Sequence, residues 1–247
     1  MLSSVFTLGL AFGLATAAPL ARQSPVYPPT SVSNAFNLIA NVTDLSDAFG
    51  ASINGHAISS YHTGAGFSTA VLDGLSDASR IFYVNGTAEE VRYGQASVIS
   101  DAGQPSFPEG WVVQNQSQFD NVYPGEHDVF INAGNGTKGI GLHDFPQPIP
   151  DLYAPGSGTY VACNNAIPYT GASAITVQYA YTTYTNASGA YDYELNIPKG
   201  CVQIKLLPQC TAINSPGAGS ISSHDYAVNE RCYDDVSSID WSIYSDW

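Results

Sequence analysis

The feature that most constrains this fold is a succession of short β-type segments, separated by Gly, Pro, Asn and Asp, that begins near residue 34. Runs rich in β-branched and aromatic residues that end at turn residues predict strands. No segment before residue 220 repeats apolar side chains with a helical period over twelve residues. About a dozen strands without intervening helices predict an all-β fold, either an antiparallel β-sandwich or a related barrel, with a β-trefoil-like barrel as the next alternative. The predicted strands are Phe36–Ala40, Ile53–Ser59, Ser68–Leu72, Arg80–Val84, Glu90–Ile99, Trp111–Gln114, His127–Asn132, Gly139–Leu142, Thr159–Cys163, Ala174–Thr183, Tyr191–Asn196 and Val202–Leu207.

Three Gly-x-Gly segments, which begin at Gly64, Gly134 and Gly156, lie between predicted strands. Glycine adopts positive φ angles without the steric cost that a Cβ atom brings. We therefore expect tight turns at these positions rather than a functional repeat.

The C-terminal region changes character, and we divide the chain into an all-β domain over residues 31–213 and an acidic tail over residues 214–247. Ser222 and Asp225 resemble a helix capping box. Val228, Cys232 and Val236 follow at intervals of four residues. This spacing predicts a short helix in the tail that a disulfide at Cys232 ties to the domain.

The first residues predict export from the cell. Residues 1–17 form a short apolar run that ends in small residues, as a secretory signal peptide does, with cleavage expected after Ala17 or Ala18. The run is too short for a membrane span, and no other span is indicated. Residues 18–30 are rich in proline and predict an extended leader.

The chain contains N-x-[ST] sequons, none of which has proline at the middle position. In an exported protein such sequons are candidate N-glycosylation sites in surface turns. The candidate acceptors are Asn41, Asn85, Asn115, Asn135 and Asn186.

Four cysteines, Cys163, Cys201, Cys210 and Cys232, predict two disulfides in an oxidising compartment. A strand over Val202–Leu207 would hold Cys201 and Cys210 about 25–30 Å apart, far beyond the reach of a disulfide. One of these two therefore bonds Cys163, and the other bonds Cys232 in the tail. We favour Cys163–Cys201 with Cys210–Cys232, and the swapped pairing remains the alternative.

The charge balance excludes some classes of partner. Seven Lys and Arg stand against twenty-one Asp and Glu, which gives a formal net charge of −14. Nucleic-acid binding requires a basic surface that this composition does not supply. Anionic membrane surfaces would also repel the chain.

The sequence does not identify a catalytic centre. It contains no G-x-S-x-G motif, and all four cysteines are expected to be oxidised. His127, His143 and His224 each precede an aspartate, but adjacent residues of a strand face opposite sides and cannot jointly chelate an ion. The sequence therefore predicts neither a metal site nor a cofactor.

Paired carboxylates of a glycoside hydrolase are the main enzymatic alternative, because such enzymes need two acids about 5–9.5 Å apart. Glu109, Glu126 and Glu194 lie beside aromatic or loop residues. Nothing in the sequence selects two of them as a catalytic pair.

Tyrosines cluster around the predicted turn at residues 186–189. Tyr179 and Tyr181 share one face of a predicted strand and would meet Tyr191 and Tyr193 across a hairpin. A tyrosine face can stack on sugar rings, so these four residues are candidates for sugar binding. Cross-strand tyrosine pairs also stabilise antiparallel strands without any ligand, and we weigh this structural role more heavily.

Six stretches of the chain carry a resemblance to a known family: Phe36–Asp44, His62–Gly66, Arg80–Thr87, Thr159–Cys163, Gly200–Cys210 and Arg231–Asp235. Together they resemble an uncharacterised family of small secreted proteins from filamentous ascomycete fungi. The resemblance covers about residues 30–242 and assigns no functional residue. In size and layout the chain also looks like fungal cell-wall and spore-surface antigens.

The leading hypothesis is a secreted, N-glycosylated, disulfide-bonded protein without catalytic activity that acts at or near the fungal cell surface. Its expected partners are cell-wall polysaccharide or an extracellular protein; nothing in the sequence indicates an oligomeric state. The alternatives are a secreted carbohydrate-active hydrolase with an unidentified carboxylate pair, and an effector or inhibitor that binds a foreign protein.

Overall fold

The protein is a nine-stranded antiparallel β-barrel with two short helices. A computed structural model describes residues 27–72, 79–114, 126–143, 148–167, 170–185 and 192–244. The strands are β1 (Ser31–Ser33), β2 (Ala35–Val42), β3 (Ile58–Gly64), β4 (Phe67–Leu72), β5 (Phe82–Asn85), β6 (Ser97–Ala102), β7 (Phe107–Val113), β8 (Glu126–Ala133), β9 (Gly141–Leu142), β10 (Leu152–Tyr153), β11 (Gly158–Ala166), β12 (Ser173–Thr185), β13 (Asp192–Leu195), β14 (Cys201–Thr211) and β15 (Glu230–Cys232). The expectation of an all-β fold with a barrel or sandwich architecture is confirmed.

Neighbouring strands close the barrel in the order β2, β5, β6, β7, β8, β4, β12, β11 and β14, and β14 pairs again with β2. The strand β8 also pairs directly with β12, through partners such as Gln178 and Asp128. The strands β3 and β13 add to β4 and β12 outside the ring. Two small antiparallel pairs, β1–β15 and β9–β10, lie apart from the large sheet.

Alternate residues of each barrel strand face the interior, which is the ordinary consequence of the two-residue period of a strand. Six aromatic rings and one histidine form a continuous series of contacts there, which we call the interior aromatic chain. Neighbouring centroids are 4.9 to 6.5 Å apart. Its members, in order, are Phe36, Phe82, Trp111, Tyr160, Tyr179, Tyr181 and His127.

Two helices include the first residues of segments that the sequence pattern assigned to strands, which are Ile53 and Glu90–Arg92. The helix α1 (Ala48–Ile53) begins at Asp47, whose carboxylate accepts from the backbone N–H of Gly50. The helix α2 (Ala88–Arg92) begins with a capping box in which Thr87 and Glu90 bond each other's backbone N–H groups. The predicted strand starts at Ile53 and Glu90 are therefore wrong, because local caps override the β-type composition of both segments.

The tail is tied to the barrel mainly by extended backbone. Glu230–Cys232 forms β15 and pairs with β1, so the predicted helix through Cys232 is wrong at this position. The helical part of the tail consists of two 3₁₀ turns, Val236–Ser238 and Trp241–Ile243, each capped by an aspartate. The four-residue spacing does not produce a helix here, because residues 230–232 pair with β1 as a strand.

The structure contains two disulfides, Cys163–Cys201 and Cys210–Cys232, which is the pairing that the sequence favoured. The first joins residues that face each other across β11 and β14. The second attaches β15 to the end of β14.

The Gly-x-Gly segments have the expected positive φ angles, for example at Gly66 and Gly136. At Gly136 the requirement is also steric. A Cβ atom there would lie 2.5 Å from the carbonyl oxygen of Trp111, because the turn packs against the backbone of β7. No helix in the described ranges is long and apolar enough to cross a membrane.

Candidate functional site

The strand β14 changes partner along its length, and this opens a cleft in the barrel wall. Its residues 201–204 pair with β11, whereas residues 204–211 pair with β2. The first residues of β11, Gly158 and Thr159, therefore have no partner on β14. We call the resulting space, about 640 Å³ in volume, the β11–β14 cleft. Its volume lies in the range of ligand-binding pockets.

The β9–β10 pair supplies the polar side of this cleft. His143 follows β9, and its Nδ1 atom lies 2.6 Å from the Asp151 carboxylate. The backbone N–H of His143 also donates to the Asp151 carbonyl at 3.0 Å, so two bonds fix the histidine. With Nδ1 protonated, the Nε2 atom of a neutral ring is a hydrogen-bond acceptor.

An aromatic ring supports the same histidine. The Tyr153 ring stacks on the His143 ring with centroids 4.8 Å apart and planes inclined by 26°. Burial, and secondarily the charge of Glu230, raise the pKa of Tyr153. The Arg231 guanidinium donates to the carbonyl oxygen of His143 at 3.4 Å, which links the tail to this side of the cleft.

The floor of the cleft consists of barrel interior. Tyr160 and Tyr179 belong to the interior aromatic chain and line the cleft together with the apolar side chains of Leu152, Ala154 and Ile204. The Tyr179 hydroxyl donates to the carbonyl of Gly156 at 3.3 Å. Burial raises the pKa of Tyr179 to about 12, so its hydroxyl stays protonated at physiological pH. The cleft thus combines an apolar aromatic floor with a polar side, which suits a ligand that has both kinds of surface.

Two of the four tyrosines proposed for sugar stacking, Tyr179 and Tyr181, face the interior of the barrel. Tyr179 and Tyr181 are 3% and 7% exposed, because the side of β12 that carries them is the inner side of the barrel. Of the two, only Tyr179 lines the cleft. Tyr193 lies opposite Tyr184 in the β12–β13 pair, and Tyr191 lies outside the described residues.

Glu109 and Glu126 are not brought together as a hydrolytic pair. Glu109 is buried and bonds Arg80 at 2.6 Å. Glu126 begins β8, whereas Glu109 lies beside the far end of that strand, since Gly110 pairs with Asn132. Seven residues of strand span on the order of 20 Å, well beyond the spacing that glycoside hydrolysis requires. Glu194 is exposed on β13.

The histidines of the His-Asp pairs take three different roles. His127 is buried beside Tyr181 in the interior, and His143 lies in the cleft. His224 in the tail bonds Asp101 at 2.6 Å, and Asp101 also accepts from the Tyr83 hydroxyl at 3.1 Å. No group of three or more His, Cys, Asp or Glu residues suited to a metal ion occurs among the described residues.

The candidate glycan acceptors differ in exposure. Asn135 is exposed in the turn after β8. Asn85 is half-buried at the end of β5, and Asn41 is only 5% exposed on β2. Asn115 and Asn186 lie outside the described residues.

Comparison with known proteins places the chain among fungal relatives. A family model described as a domain of unknown function, DUF7907, matches residues 33–210. The chain belongs to this family. The DUF7907 match includes the cleft residues from His143 to Lys205, but it ends before β15.

The chain is also 37% identical to the antigenic protein SchS34 of Stachybotrys chartarum over 230 residues. The alignment covers 92% of this chain and 99% of that relative, so it extends into the tail. The resemblance to proteins of filamentous ascomycetes is confirmed. No solved structure matches the chain.

The sequence did not reveal the cleft residues as a group. Asp151 precedes β10 and Tyr153 belongs to it. A strand of two residues is too short to give a periodic signal. Tyr160 lies in a correctly predicted strand, but its position at the split between β11 and β14 depends on long-range pairing.

Proposed function

We propose that this protein is secreted and N-glycosylated, and that it acts at the fungal cell surface by binding wall polysaccharide in the β11–β14 cleft without converting it chemically. The cleft itself carries the proposal. It has the volume of a ligand site, a floor of tyrosine and aliphatic side chains, and an oriented histidine at its polar side. Sugars present both an apolar ring face and many hydroxyl groups, and this combination matches such a lining.

Three further observations support an extracellular setting. The two disulfides suit an oxidising compartment. The N-terminal residues have the pattern of a signal peptide. The relative from Stachybotrys chartarum is described as an antigenic protein, which fits a protein that reaches the outside of the cell.

The described lining favours binding over hydrolysis. Asp151 is the one carboxylate among the lining residues that the structure describes, and His143 holds it. Both retaining and inverting glycosidases that use carboxylates need a second acid across the cleft. Glu109 does not fill this role, because Arg80 bonds it at the barrel interior.

Retention on insoluble chitin and on insoluble β-1,3-glucan tests the proposal. We expect at least one polymer to retain the protein, and we expect His143→Ala to weaken retention because it removes the oriented imidazole from the cleft. His62→Ala is the matched control, since His62 is exposed on β3 and does not line the cleft. If neither polymer retains the wild-type protein, or if both variants behave alike, the proposed function is wrong.

A further inference from the structure

The floor of the β11–β14 cleft contains a buried polar atom without a hydrogen-bond partner. Tyr160 is 3% exposed, and its hydroxyl makes no hydrogen bond within the described residues. The nearby Trp111 ring offers only an N–H donor, which cannot accept the Tyr160 proton. The hydroxyl proton of Tyr160 is therefore left without an acceptor.

The other tyrosines of the interior aromatic chain differ in this respect. The Tyr179 hydroxyl donates to Gly156, and the Tyr181 hydroxyl donates to the carbonyl of Gln114 at 3.2 Å. Buried hydroxyl groups are nearly always bonded, because an unmade hydrogen bond in a low dielectric is costly. Tyr160 lines the cleft and is thus the tyrosine of this chain whose hydroxyl has no bond to give up when a ligand enters.

The surroundings of Tyr160 define the ligand group that would fit there. Leu152, Ala154 and Ile204 line the same part of the wall and are each at most 7% exposed. A group that enters this floor needs an oxygen that accepts from Tyr160 and an apolar part that contacts the aliphatic side chains. An acetamido group has both, with a carbonyl oxygen beside a methyl group. A bare sugar hydroxyl has no apolar part to place there.

On the basis of the proposed function, we propose that the cleft selects N-acetylated sugars. Tyr160 is the specificity-determining residue, because its hydroxyl donates to the acetamido carbonyl. The sugar hydroxyls then face the polar side of the cleft, where Asp151 and His143 lie. The same arrangement disfavours a glucan, which has no acetyl methyl group to contact the aliphatic side chains around Tyr160.

Calorimetric titration with three soluble trimers tests this selection. The probes are chitotriose, its deacetylated glucosamine counterpart and laminaritriose. We expect the tightest binding for chitotriose. The glucosamine trimer is a strict comparison, because its positive charge is attracted to a chain of net charge −14 and yet it lacks the acetyl groups.

Two phenylalanine variants identify the role of the hydroxyl group. We expect Tyr160→Phe to weaken chitotriose binding about ten-fold, as the loss of one ligand hydrogen bond does. It should not lower the melting temperature, because it removes a group that has no partner. Tyr181→Phe is the matched control: it should lower the melting temperature through the lost bond to Gln114 and leave chitotriose affinity unchanged.

The outcomes separate the two proposals. Equal binding of chitotriose and laminaritriose would overturn the acetamido selection but keep the polysaccharide site. A Tyr160→Phe variant that melts at a lower temperature and binds chitotriose normally would show that the hydroxyl is structural, for instance through a bound water only. If the protein binds none of the trimers and neither insoluble polymer, the proposed function itself fails.

Discussion

At the scale of single residues, the most consequential polar group inside the barrel is Arg80. Its guanidinium bonds the Glu109 carboxylate at 2.6 Å and the hydroxyls of Ser60 and Ser100 at 2.7 and 3.1 Å. The side chains of Arg80 and Glu109 are only 14% and 7% exposed. A buried charge of this kind is tolerated because each of its polar atoms has a partner.

Removal of one partner of this ion pair should destabilise the fold strongly. Glu109→Ala leaves the Arg80 guanidinium buried without its counter-charge, and we expect a loss of about 3–5 kcal/mol in the free energy of unfolding, measured in urea. Lys138→Ala is the control. It breaks an exposed pair with Glu90 at 3.9 Å, and it should cost less than about 1 kcal/mol. Equal effects of the two variants would contradict this account.

Exposure also predicts which described sequons carry glycans. Asn135 is exposed in a turn, so Asn135→Gln should reduce the intact mass of the secreted protein by one glycan. Asn41 is 5% exposed in the barrel wall between β14 and β5, where a branched sugar has no space in the folded protein. Asn41→Gln should therefore leave the glycan mass unchanged. A mass loss at Asn41 together with none at Asn135 would show the reverse assignment.

At the scale of elements, sequence patterns located the barrel strands but missed three short strands outside the barrel. Every described strand of the barrel overlaps a predicted one. The strands β1, β10 and β15 were missed, because two or three residues carry no period. In addition, β1 and β15 form strands only by pairing with each other from opposite ends of the described chain. The helix α2 was predictable in principle, since Thr87 and Glu90 have capping-box spacing.

The side of β12 that faces inward was not predictable from its pattern. Tyr179 and Tyr181 are correctly placed on one face, but Ala180 between them is also buried. A strand that is buried on both sides gives no alternation from which the interior could be recognised. This is why Tyr179 and Tyr181, two of the tyrosines proposed for sugar stacking, lie in the interior aromatic chain, and why the cleft is visible only from the pairing of β14.

The Cys210–Cys232 disulfide should control the order of the tail. A disulfide that closes a loop of 22 residues stabilises a chain by about 3 kcal/mol in the chain-entropy model. We expect the double variant Cys210→Ser, Cys232→Ser to lose about that much, with faster hydrogen exchange in β15 and β1, which pair with each other. Removal of Cys163–Cys201 is the comparison, because those residues lie in neighbouring hydrogen-bonded strands and β15 should keep its protection. Unchanged exchange in β15 of the first variant would contradict this prediction.

At the scale of the whole molecule, buried tyrosines occur both inside the barrel and under the segments that pack on its outside. The pKa is raised by burial, as the largest cause, for six described tyrosines, and nearby carboxylates add to the rise for some of them. The six are Tyr83, Tyr153, Tyr160, Tyr179, Tyr181 and Tyr233.

These raised pKa values predict alkaline unfolding. The unfolded chain releases tyrosine protons near pH 10, whereas the folded chain holds them to higher pH, for Tyr179 to about 12. The stability that the protonated buried tyrosines contribute is therefore fully present below pH 10. It is lost as the pH rises through the tyrosine pKa values of the folded protein. We expect absorbance at 295 nm to show an early phase from exposed tyrosines and a second, cooperative phase that coincides with loss of the near-ultraviolet circular dichroism signal. A single reversible phase near pH 10, with the circular dichroism unchanged, would mean that the interior tyrosines are not shielded from solvent as this fold requires.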